Sequence, residues 1–257
     1  MQADSIHGPD DVAAQAGSVR DGATGGWNRR RTNPMWLRDL LVVALTLVSG
    51  ATDAVGFTRL GGVFTSVMTG NMVLLGISAG RRDGSLAIHT GVAFLCYVAG
   101  TLLGGRIAGR PRPDQALWPR EVTIALYVEL AVFAIFTVVW EATGAAPGTT
   151  AALCLLGVNA VALGMQSGAV LRFGVNGLST TYLTGTLTTV IASLSSGRST
   201  KVSGRSVAVL CALVAGAALG AVLALHAPRE APLALVVPLI AVIAGSFELH
   251  HHFPDVK

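Results

Sequence analysis

Charge is the scarcest property of this 257-residue chain: Asp, Glu, Lys and Arg make up 12% of it, against 52% hydrophobic residues and a mean hydropathy of +0.61. A soluble domain carries about twice that charge, so the composition excludes one and predicts an integral membrane protein. Aromatics are also few, at 6%, and no basic face has them interleaved. The net charge of +4 and pI near 9.3 therefore do not point to nucleic acid. The basic residues sit in short loops beside apolar runs, where they orient helices. Cysteines number three, Cys96, Cys154 and Cys211, each in a different apolar run. That excludes a disulfide framework or a cysteine metal cluster and predicts buried small hydrophobes. Catalytic signatures are missing as well. There is no Gly-x-Ser-x-Gly elbow, no His-Glu-x-x-His and no phosphate-binding loop, and the loops are too short for a soluble catalytic domain. The expectation is a non-enzyme without cofactors, and not a self-contained ATP-driven pump. His250, His251 and His252 cannot all face one ion in regular structure, so no metal is expected there.

Residues 1–35, rich in Gly, Ala, Asp, Ser and Arg and without an apolar period, are expected to form a disordered basic tail. Residues 36–249 are expected to form an all-α polytopic transmembrane domain, and 250–257 a short C-terminal tail. Six runs reach the roughly 20 residues needed to cross a bilayer: about 37–57, 87–109, 122–140, 151–171, 207–225 and 233–247, the last being short. The first follows Arg29-Arg30-Arg31 but is too long for the apolar region of a signal peptide, and further spans come after it. It is expected to be retained as a helix.

Between these runs lie two stretches that are versions of one another. Gly62-Val63-Phe64-Thr65-Ser66-Val67-Met68-Thr69-Gly70-Asn71 superimposes on Gly177-Leu178-Ser179-Thr180-Thr181-Tyr182-Leu183-Thr184-Gly185-Thr186 at a constant offset of 115 residues. A repeated polar, Gly-containing segment in an apolar chain is a pointer to a transporter-type site. Charge bias decides whether the segments cross. If they do not, and the N-terminus is cytoplasmic, 14 of the 18 Lys and Arg residues fall on the cytoplasmic side; if they do, giving eight spans and parallel repeats, 11 fall there. The excess expected of cytoplasmic loops favours six spans. The two halves, about 36–140 and 149–249, then enter the membrane from opposite sides as inverted repeats, which place a shared site near the midplane.

The candidate substrate-binding residues follow from this arrangement. Gly70 and Gly185, each after a Thr, are candidate break points, and the hydroxyls of Thr65, Thr69, Thr180 and Thr184 can line a cavity where the repeats meet. The structural alternative is that small and hydroxyl residues only allow close helix packing. Asn71 offers a carboxamide where the second copy has Thr186. Asp53 and Glu129 are the carboxylates deepest in apolar sequence, a costly placement that suggests function. The alternatives are an Asp53–Arg59 pair and a hydrogen bond from Glu129 to Asn159 or Gln166. Gln166 is a polar partner for the cavity. Arg59 and Arg172, each just before a repeated segment, are candidate anion contacts or simple flanking charges.

Gly50-Ala51-Thr52-Asp53-Ala54-Val55-Gly56-Phe57, Gly61-Gly62-Val63-Phe64 and Met68-Thr69-Gly70-Asn71 resemble the YoaK-type family of bacterial membrane proteins, a domain of unknown function. Gly164-Met165-Gln166 and Thr180-Thr181-Tyr182-Leu183-Thr184-Gly185-Thr186-Leu187-Thr188 are similar to its second signature, with Ser167 where the family usually has Asn. The resemblance implies a multi-pass protein of the bacterial cytoplasmic (inner) membrane and implies no established activity. The residues themselves lead to the expectation of a secondary carrier for a small molecule or ion, with a polar site between the two Thr-Gly segments. The alternatives are an uncoupled channel-like facilitator and a non-transporting scaffold or sensor. The expected partners are the lipid bilayer, an unknown small solute or ion and a possible second copy of the chain, with no nucleic acid.

Overall fold

A computed structural model describes residues 34–112, 116–173, 183–195 and 204–252. The predicted tail before residue 34, Thr180 and the residues from 253 onward lie outside them. The described residues are all-helical, in eight α-helices with no strand: α1 (Pro34–Arg59), α2 (Met68–Arg81), α3 (Gly84–Ala108), α4 (Arg120–Ala142), α5 (Thr149–Val170, continued by a 3-10 turn at Leu171–Phe173), α6 (Leu183–Ser195), α7 (Gly204–His226) and α8 (Leu233–His252). Six of them, all but α2 and α6, are long and apolar enough to cross a membrane. The last span is longer than its apolar run suggested. A 3-10 turn at Pro228–Glu230 leads into it, Pro238 is accommodated inside it, and it continues through His250 and His251 to His252 instead of giving way to a tail.

Contacts at the helix ends fix which ends lie together. Asp39 near the start of α1 pairs with Arg205 at the start of α7 at 3.4 Å. Near the end of α8, Ser246 meets Thr123 of α4 at 3.2 Å, and His250 meets the carbonyl of Trp118 at 3.0 Å. Phe173 after α5 packs on the Trp118 ring, and Arg172 donates to the carbonyl of Arg110 just after α3. At the other extreme, Arg59 donates to Ala145 O (2.7 Å), just after α4, and to Ala224 O (3.4 Å) of α7. Trp140 of α4 donates to Pro228 O, ahead of α8. Helices α1, α4 and α7 therefore run one way and α3, α5 and α8 the other. Since α2 joins the end of α1 to the start of α3, it begins and finishes at the Arg59 end. Helix α6 lies in sequence between the end of α5 and the start of α7, both of which are at the Pro34 end. Helix α2 does not cross.

Two parallel helix pairs dominate the packing, α1 with α7 and α3 with α5. Both are built on glycine. A Cβ at Gly100 or Gly104 would fall within contact distance of the backbone of Val161 or Met165, and one at Gly164 or Gly168 would meet Tyr97 or Thr101. Gly50, Gly216 and Gly220 do the same between α1 and α7. Without a hydrophobic force between helices in lipid, such close approach is what holds them together. Helix α8 packs on α1 as α4 packs on α5, and α4 meets α8. Cys154 and Cys211 lie on the outer face of the bundle, not in its interior, and Cys96 is half-buried.

Candidate functional site

The first repeated segment is shaped by two side chains that hold its backbone. After Arg59 the chain turns at Gly61 and Gly62, whose φ angles of 109° and 73° are accessible to glycine and strained for other residues. It then folds back so that Thr65 and Ser66 reach Asp53, which lies about 9 Å down α1 from Arg59 at 1.5 Å per residue. Oδ1 of Asp53 accepts from the N–H groups of Thr65 (2.7 Å) and Ser66 (2.7 Å) and from the Thr65 hydroxyl (3.0 Å), and Oδ2 accepts from the Ser66 hydroxyl (2.5 Å). Asn71 completes the latch: its Oδ1 accepts from Phe64 N–H at 3.0 Å and its Nδ2 donates to Phe64 O at 2.6 Å. These bonds satisfy backbone groups that a non-helical stretch inside a membrane protein would otherwise leave bare.

Several expectations change here. The break precedes Met68, at Gly61–Val67, while Gly70 sits inside the first turn of α2. Asp53 does not pair with Arg59, whose guanidinium is spent on two carbonyls and lies 6.0 Å over the Trp140 ring. Thr65 is buried and committed to Asp53, and the Asn71 carboxamide is committed at both ends. Thr69 faces outward. In the second segment α6 begins at Leu183, so Gly185 is helical and marks no break. Thr184 and Gly185 are exposed, their carbonyls accepting the hydroxyls of Thr188 and Thr189, and among the described residues of the segment only Thr186 is buried. Helices α2 and α6 lie in sequence between spans whose adjoining ends are at opposite ends of the bundle.

Three polar side chains lie instead inside the bundle. Glu129 of α4 and Asn159 of α5 are 0% exposed, and Gln166 of α5 is 1% exposed. Gln166 Nε2 donates to Leu45 O (3.2 Å) and Ser49 Oγ (2.9 Å) of α1. Because Leu45 O can only accept, the amide is turned so that Oε1 points the other way. That Oε1, both carboxyl oxygens of Glu129, and both Nδ2 and Oδ1 of Asn159 have no hydrogen-bond partner among the described residues. The alternative reading of Glu129, a hydrogen bond to Asn159 or Gln166, is thus not met. The three lie at neighbouring depths. Helices α4 and α5 pack antiparallel, and at 1.5 Å per residue Glu129 lies about 20 Å below the end of α4, while Asn159 and Gln166 lie about 15 and 25 Å below the start of α5. Glu129 therefore sits between the two carboxamides in depth, near the middle of its 23-residue helix. On α5, Asn159 and Gln166 are seven residues apart and share a face. That spacing was a readable signal, and sequence reasoning used Asn159 only as a structural partner.

Arg172 follows α5 at the Pro34 end and is bound to the Arg110 carbonyl. No group of three or more His, Cys, Asp or Glu side chains suited to a metal ion occurs among the described residues.

The family model described as "Protein of unknown function (DUF1275)" matches residues 41–246. The chain is 30% identical over 158 residues to the "UPF0700 transmembrane protein YoaK" of Bacillus subtilis (strain 168), an alignment covering 62% of this chain and 68% of that protein. No solved structure matches.

Proposed function

The chain belongs to the DUF1275 family of multi-pass membrane proteins, and from that premise we propose that it is a non-enzymatic secondary carrier of a small polar solute or ion, with its site around Glu129, Asn159 and Gln166. The observation that carries this reading is the carboxyl group of Glu129, fully buried at mid-helix and unpartnered. An ionisable group at that depth is costly, and where it persists it marks a substrate or ion path. The site thus moves from the Thr-Gly segments to the bundle interior.

The exchange pattern of the helices supports it. Swapping the first four helices for the last four turns the α1–α7 pair into α5–α3 and the α1–α8 contact into α5–α4, while α4–α8 maps onto itself. With α2 at one end and α6 at the other, this is the relation expected of inverted repeats, which alternate access to a fixed midplane site. Orientation follows from charge. Arg38, Arg106, Arg110, Arg112, Arg120, Arg172 and Arg205 lie toward the Pro34 end, against Arg59, Arg81, Arg82 and Arg229 at the other, so the Pro34 end is cytoplasmic. The relevant membrane is the bacterial cytoplasmic one.

Alternating access can be tested without knowing the solute. In a background lacking the three native cysteines, Asn159→Cys is exposed to a membrane-impermeant thiol reagent in right-side-out and in inverted vesicles. Reaction from both faces is expected. Protection from both faces contradicts the reading and leaves a scaffold. Reaction from both faces accompanied by steady conductance in planar bilayers would make the protein a facilitator instead of a carrier.

A further inference from the structure

The unpartnered atoms of Glu129, Asn159 and Gln166 are unequal in kind. Four are acceptors, namely both carboxyl oxygens of Glu129, Oδ1 of Asn159 and Oε1 of Gln166, and one group, Nδ2 of Asn159, is a donor. A ligand that satisfies this set must bring positive charge or hydrogen-bond donors. An anion would bring more acceptors and a second negative charge into a region of low dielectric. Among the described residues no counter-charge lies at that depth. On α3, α5 with its following turn, and α8, the helices packed against α4, the described charged and histidine side chains are His89, Arg106, Arg172, Glu248, His250 and His251, all within about two turns of a helix end. On α4 itself Arg120, Glu121 and Glu141 are likewise terminal. Asp53 of α1 is occupied by Thr65 and Ser66.

We infer that the bundle interior is a site for a monovalent cation, held by the Glu129 carboxylate together with the carboxamide oxygens of Asn159 and Gln166. One carboxylate neutralises one charge, and a divalent ion would leave a net positive charge buried. Gln166 is suited to the task because its nitrogen is tied to α1 at Leu45 and Ser49, which holds the oxygen in place and links occupancy to the packing of α5 on α1. The inference deepens the carrier reading by naming the chemistry of its cargo or coupling ion. An alkali cation and a proton share that chemistry.

The test is the thermal stability of the full-length protein in lipid nanodiscs, titrated with NaCl, KCl or LiCl against choline chloride at constant ionic strength, at acidic and at neutral pH. A ligand that binds only the folded state raises Tm as its concentration passes Kd, on the order of 5 °C at a hundredfold excess for a chain of this size. An alkali ion as occupant predicts such a rise for the wild type, absent in Glu129→Gln. A proton as occupant predicts no salt-specific rise, a wild-type Tm that increases on acidification, and a Glu129→Gln protein stable at both pH values. A wild type that responds to neither, or responds as Glu129→Gln does, overturns the inference. Asn159→Leu keeps the volume and provides a second readout: it should raise Tm in choline and shift the alkali titration midpoint, or the pH midpoint, at least several-fold. A cation response with Asn159→Cys sealed at both faces would keep this site and refute the carrier. Two-sided access without any cation or proton response would keep the carrier and refute this site.

Discussion

Asp53 and Glu129 are the two carboxylates that sequence places deepest in the spans, and the structure gives them opposite occupations. Asp53 spends both oxygens on Thr65 and Ser66 and so fixes the chain that re-enters below Arg59. Hydrogen bonds to a charged acceptor contribute about 1.5–3 kcal/mol each, and unmet buried donors cost about 1–3 kcal/mol. Asp53→Ala should therefore destabilise by roughly 3–5 kcal/mol, read as a large fall in Tm, while the response to added cation survives in whatever protein remains folded. Glu129→Gln should leave stability unchanged or raise it, because it removes a buried carboxylate that no described group compensates. Equal losses from the two substitutions would refute the division. Nothing local in α1 or α4 separates these carboxylates. The difference lies in a segment twelve residues beyond Asp53 that folds back onto it, a tertiary event to which helical periodicity is blind.

At the scale of the element, the spans follow directly from long apolar runs, and their boundaries from identifiable stops. Asp83 caps α3 by accepting from Leu86 N–H at 3.0 Å, and Arg82 in the left-handed region closes α2. The repeated segments were legible as interruptions, yet the position of the break was not. The Thr-Gly pairs drew attention, whereas the turn is made at Gly61 and Gly62, and in the second copy Gly185 lies in continuous helix. Glycine in a membrane helix serves contact as readily as breakage, and only the partner helix tells which. Gly100→Ala and Gly164→Ala should each lower Tm, since the added methyl meets the backbone of Val161 or Tyr97 and the helices must separate. Gly105→Ala, with nothing within 4 Å of its added carbon, should be neutral or stabilising by about 0.5–1 kcal/mol. Thermal scans of the three proteins in one detergent check the contrast, and a Gly105→Ala loss as large as the others would refute close packing as the reason.

For the whole molecule, the described residues form six spans and two short helices, and each short helix lies between spans whose adjoining ends are at the same end of the bundle. That disposition places Glu129, Asn159 and Gln166 inside a bundle whose charged groups are gathered at its two ends, and it gives the two halves opposite directions in the membrane. The most direct test is a set of single cysteines at Ser85, Gly148, Arg112 and Gly204 in the cysteine-free background, probed with an impermeant reagent in right-side-out and inverted vesicles. Labelling of Ser85 and Gly148 from outside, and of Arg112 and Gly204 from the cytoplasmic face, is the predicted result. External labelling of Arg112 with Ser85 reached only from the cytoplasmic face would mean that α2 crosses, and the six-span bundle built around Glu129 would be contradicted.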